Sequence, residues 1–137
     1  MKFQKMALLA AFLGFVFSGC TLYEDGPLFS VLPKKDRIDN VWEADQVTRA
    51  DGTDITDDYD NWTWTFTKDG DATVEYEDFF GTVTLNGEWN LIDNDEVFQL
   101  ILQVIGEDIS NYDILRLTDN EFWLLDEDGN EFHLETK

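Results

Sequence analysis

The sequence predicts an all-β domain: an antiparallel meander of about eight strands closing into a β-barrel. Three observations carry this. Apolar and polar residues alternate with period two from Ile38 onward, clusters rich in Asp, Asn and Gly interrupt the alternation, and no segment there shows an apolar helical stripe.

The first nineteen residues read as a removable leader. Lys2 and Lys5 make the start positive, and an apolar run follows from Met6 to Phe17. A bilayer-spanning helix needs ~20 apolar residues, so this shorter run fits a secretory signal. Ser18 and Gly19 are small enough to enter a peptidase site in extended form, which places cleavage between Gly19 and Cys20. Cys20 is the only cysteine in the chain and has no internal disulfide partner. Its setting resembles the lipobox of bacterial lipoproteins, with Phe17 where Leu is usual. The resemblance implies diacylglycerol on the Cys20 thiol and an acyl chain on the freed amine. An ordinary leader ending by chance at a cysteine is the competing reading. Thr21, in place of an inner-membrane-retaining Asp, implies the outer membrane. Glu24-Asp25 resembles the export signal of Bacteroidetes surface lipoproteins, so the periplasmic face and the cell surface both stand as destinations.

Residues 20–36 are expected to form a lipidated N-terminus and tether, because Gly26, Pro27 and Pro33 break regular structure. Fully extended, this stretch reaches roughly 50 Å. Residues 37–137 are then the barrel domain. Its strands are expected at Asn40–Thr48, Trp62–Thr67, Ala72–Glu77, Thr82–Leu91, Glu96–Val104, Tyr112–Thr118, Glu121–Asp126 and Asn130–Thr136. Lys68-Asp69-Gly70-Asp71, Asp93-Asn94-Asp95 and Asp126-Glu127-Asp128-Gly129 supply turns. Short turns make neighbours antiparallel, and closure removes both sheet edges. An open meander or a sandwich would fit the same pattern with edges exposed.

The run Cys20…Tyr23-Glu24-Asp25-Gly26-Pro27, Lys34-Lys35, Arg37 and Asn40-Val41-Trp42 resembles lipocalin-like lipoproteins of Bacteroidetes. Trp64-Thr65-Phe66-Thr67, Gly87-Glu88-Trp89 and Ile114-Leu115-Arg116-Leu117-Thr118 are further landmarks. The resemblance implies a lipocalin-like barrel with a small-ligand or partner-binding role. Lipocalins open strand one with Gly-x-Trp and stack a late Arg on that Trp. Here Asn40 replaces the glycine, Trp42 fills the Trp position, and Arg116 is the implied cation–π partner in a barrel-end packing pair.

Charge bounds the partners. Nine Lys and Arg face thirty Asp and Glu, a formal net charge of −21 that deepens once Lys2 and Lys5 leave with the signal. Such a field repels nucleic acid and anionic headgroups. The tryptophans Trp42, Trp62, Trp64, Trp89 and Trp123 argue against disorder despite the acidity. Trp62, Trp64, Phe66 and Trp89 are expected to line the interior, leaving a small or closed cavity.

No reaction is legible. His133 is the sole histidine and is expected on an exposed strand face, and Cys20 is committed to lipid, so no Cys–His pair or zinc set forms. Thirty acids give many accidental pairs, which makes a carboxylate-pair hydrolase the weakest alternative. The acidic loop Asp51–Asp60 lacks the ordered spacing of a calcium-binding loop. The expectation is a noncatalytic envelope protein without cofactor. It binds a small apolar ligand or a partner protein, or else is a filled structural barrel acting through its outer face.

Overall fold

A computed structural model describes residues 32–137; the signal sequence, Gly19, Cys20 and the tether as far as residue 31 lie outside them. A helix, α1 (Lys34–Ile38), precedes β1 (Asn40–Thr48). A 3₁₀ turn at Thr56–Tyr59 leads to β2 (Thr63–Phe66), β3 (Asp71–Asp78), β4 (Gly81–Ile92) and β5 (Val97–Val104). The chain continues through β6 (Gly106–Leu117), β7 (Glu121–Leu125) and β8 (Glu131–Thr136). All neighbours pair antiparallel, and β1 pairs with β8 to close the barrel.

The helix departs from the tether expected through residue 36. Pro33 has no N–H to lose at a helix start, and its carbonyl accepts from the amides of Asp36 and Arg37. Ile38 is fully buried, Trp42 Nε1 donates to the Ile38 carbonyl at 3.0 Å, and Arg37 Nη1 donates to the Leu117 carbonyl at 2.9 Å. The helix thus plugs one end of the barrel, and the folded domain begins before residue 37.

β6 is also longer than its expected start at Tyr112. Gly106–Asn111 pairs with β5 from Val104↔Gly106 to Gln99↔Asn111. Backbone pairing alone defines this stretch, because it projects beyond the wall with both faces largely in solvent and shows no alternation.

Two bulges set which residues face inward. In β1 the register shifts between Ala44 and Gln46, so Asp45 and Gln46 both stay outside and Val47 turns in. In β6 the shift falls between Ile114 and Arg116. Close approach also matters at Gly87, an inward position of β4, where a Cβ would lie 1.9 Å from the Ile101 carbonyl oxygen. Gly87→Ala is expected to destabilise the fold by about 3 kcal/mol, read as a lowered denaturation midpoint with native-like circular dichroism retained at low temperature.

Candidate functional site

The interior is a solid stack of rings. Phe98 lies 5.0 Å from Phe66, 5.2 Å from Phe122 and 5.6 Å from Trp89 between ring centroids. Trp42 extends the stack toward the plugged end through Phe122, at 5.5 Å. Trp64, Phe66 and Trp89 are all buried in this core. Trp62 differs: it precedes β2, is only half-buried, stacks on Tyr76 at 4.4 Å and meets Tyr59 at a tilt at 5.0 Å. It closes the second end of the barrel, together with the 3₁₀ turn, instead of lining the middle. Inside, beside Trp64, Tyr112 and Phe132, lies a cavity of about 30 Å³. That volume holds about one or two waters, whereas ligand pockets take roughly 300 Å³ or more.

Arg116 does not meet Trp42. Inward residues recur every second position, so Ile114 facing in would bring Arg116 in as well. The bulge between them reverses that parity and turns Leu117 inward instead. Arg116 therefore lies outside, with Cζ 5.2 Å from the Trp123 ring and Nη2 3.2 Å from Glu121 Oε1. His133 stacks on the same indole at 4.0 Å, nearly parallel, giving an outer-wall row of Arg116, Trp123 and His133 across β6, β7 and β8. The cation tying the plugged end is Arg37, on the helix that sequence periodicity did not reveal.

Near that helix a groove of about 450 Å³ opens on the outer wall, among Lys34, Arg37 and Arg116 on one hand and Asp93, Glu96 and Asp113 on the other. Lys34 Nζ donates to the Asp95 carbonyl at 2.8 Å, beside a turn in which Asp93, Asn94 and Asp95 all hold positive φ. Short polar side chains tolerate that conformation better than others do.

At the opposite end, two neighbouring hairpins project. Phe79 and Phe80 at the β3–β4 tip are 95% and 92% exposed, and Ile105 at the β5–β6 tip is fully exposed. Sequence reading passed over these residues, although Asp78-Phe79-Phe80-Gly81 already placed two phenylalanines where a turn normally takes polar residues.

The acidic loop serves its own backbone. Asp51 Oδ1 accepts from the Thr53 amide, and Asp54 Oδ1 accepts from the Thr56 amide and hydroxyl. Hydrogen bonds from the side chain and then the amide of Thr53 hold the Asp51 carboxyl below the usual aspartate range, and those of Thr56 do the same for Asp54. Among the described residues, no group of three or more His, Cys, Asp or Glu is disposed to hold a metal ion.

The architecture is a closed lipocalin-like barrel. No family model and no curated protein matches the chain. Solved structures do match it. A lipocalin-like protein from Bacteroides uniformis aligns at TM-score 0.61 and 18% identity, covering 74% of this chain and 99% of that one. An uncharacterized protein from Bacteroides eggerthii aligns at TM-score 0.57 and 16% identity, covering 72% and 98% respectively. At these identities the likeness concerns the fold.

Two measurements probe this reading. Burial raises the Tyr112 hydroxyl above the ordinary tyrosine range, against a hydrogen bond with Ser110 that lowers it. An unfolded tyrosine ionises near pH ~10, so above that pH the unfolded state binds fewer protons than the folded one and stability falls. Chemical denaturation midpoints are expected to drop between about pH 9 and 11, and to drop less in Tyr112→Phe. On the outer wall, Glu135 faces Glu43 on one side and Glu121 on the other. Its carboxyl is raised by desolvation and then by Asp45 and Glu43. Glu135→Lys is expected to raise Tm by roughly 2–4 °C in low salt, a gain that shrinks as salt is added.

Proposed function

We propose that the protein is a noncatalytic, lipid-anchored component of a bacterial outer membrane that binds through its outer surface and carries no ligand inside the barrel. The filled interior is the observation behind this reading: 30 Å³ among close-packed rings leaves no volume for a small apolar ligand. The anchor rests on the sequence around Cys20, on the membrane's periplasmic or external face. Among the described residues no helix is long and apolar enough to cross a membrane. Acyl chains on Cys20 would be the attachment, and stable anchoring takes more than one chain.

A second reading comes from the groove beside α1. Its lining brings cations and carboxylates together on one concave surface, which would suit a small zwitterion.

Native mass spectrometry of the domain, purified from cells that produce it, is expected to return the bare polypeptide mass. A lipid retained stoichiometrically across preparations would refute surface-only binding. In cell fractionation, Cys20→Ala is expected to move the protein from the membrane to the soluble fraction, and continued membrane association would remove the lipid-anchor reading.

A further inference from the structure

Two features of the projecting end call for an explanation that folding does not supply. The first is the Phe79-Phe80 tip. Asp78 pairs with Gly81, leaving the two phenylalanines as the whole connection. Both keep negative φ, and the positive φ falls on Gly81. The Phe80 amide is satisfied by Asp78 Oδ1 at 2.8 Å. A turn of this kind accepts most residue types, so the backbone does not require either ring. Each ring left in water forgoes ~1.5–3 kcal/mol of burial. Ile105 repeats the pattern on the next hairpin, with Gly106 taking the positive φ and Val104 half-exposed beside it. Since β4 pairs Asn86 with Gln103, the phenylalanine tip reaches roughly 10 Å beyond Ile105.

The second feature is charge. From Asp69 to Leu115 the chain contains no lysine, arginine or histidine, yet holds twelve Asp and Glu. Glu75, Glu77 and Asp78 flank the first tip, and Glu107 and Asp108 flank the second. Within this segment the tips are thus apolar prongs on an acidic collar. Anionic headgroups are repelled by such a collar, and a second copy would set one acidic collar against another. An apolar pocket rimmed by Lys and Arg matches it in both respects.

We propose that the β3–β4 and β5–β6 tips form a docking surface for a protein partner that receives Phe79, Phe80 and Ile105 in an apolar pocket with a basic rim. This deepens the proposed function and rests on its claim that binding occurs outside the barrel. The prongs lie at the end opposite α1, so a chain anchored through its N-terminus can present them away from its own membrane. Aromatic anchors in such a pocket give slow dissociation, while the collar steers association and makes it salt-sensitive.

The test is photo-crosslinking in the producing cells, with benzoylphenylalanine in the full chain at Phe80, at Ile105 or, beside the groove, at Leu115. One protein adduct is expected at both Phe80 and Ile105 and none at Leu115. That partner, purified, is expected to bind the domain with Kd raised about tenfold or more by Phe79→Ser and by Asp78→Lys. Both variants change exposed turn residues, and an unchanged Tm shows that they fold. Binding unaffected by Asp78→Lys would overturn the basic rim. Lipid adducts, with flotation on phosphatidylethanolamine–phosphatidylglycerol vesicles, would overturn the protein partner, as would adducts between copies of this chain. An adduct at Leu115 alone would overturn this docking surface while leaving outer-surface binding intact. No adduct at any position would count against both.

Discussion

Phe98 has aromatic neighbours on four other strands, and the barrel is organised by that constraint. Its ring meets Phe66 of β2, Trp89 of β4, Tyr112 of β6 and Phe122 of β7. An eight-stranded barrel is just wide enough for its side chains to fill it or for one small ligand to sit inside, and here the rings take the space. Closure of β1 on β8 keeps them enclosed, and α1 and the Tyr59–Trp62 cluster seal the two ends. With the middle committed to packing, the surfaces that the described residues leave open are the wall, the rim and the hairpins that reach past it.

The alternation in Trp64–Phe66, Leu85–Leu91 and Phe98–Leu102 is readable because every other residue there faces those rings. What escaped reading has local physical causes. A bulge leaves the apolar pattern intact on either side and changes only its parity, so Ile114 and Leu117 both look inward while Arg116 between them does not. The pairing of Arg116 with Trp42 failed for that reason. The five-residue α1 buries a single side chain, Ile38, and is too short to show a helical stripe. Gly106–Asn111 has no core to face, so nothing in its side chains marks it as strand. Trp62 satisfies the alternation of β2 but stands one residue before the first ladder pair, which leaves it at the mouth.

The site was less legible than the fold because its signal is one of misplacement. Phe79, Phe80 and Ile105 are ordinary apolar residues in a list, and become informative only when the ladder puts them at tips. The charges behave similarly. Lys34 and Arg37 of α1 meet Arg116, distant in the chain, at one groove, whereas the acids spread over every strand but β2 and β5 and dominate the total. Cys20 is the reverse case, since its meaning lies in the neighbours it has in sequence and owes nothing to the fold.

The lack of basic residues between Lys68 and Arg116 has a consequence for proteolysis. A trypsin-like protease cleaves after lysine or arginine, so β3, β4, β5 and most of β6 offer it no scissile bond, even when the hairpins are fully extended into solvent. These projecting hairpins, where a nick would ordinarily fall first, are chemically invisible to that class of enzyme. A tryptic digest of the unfolded chain would release them as one piece, Asp69 to Arg116, carrying both prongs and their acidic collar together.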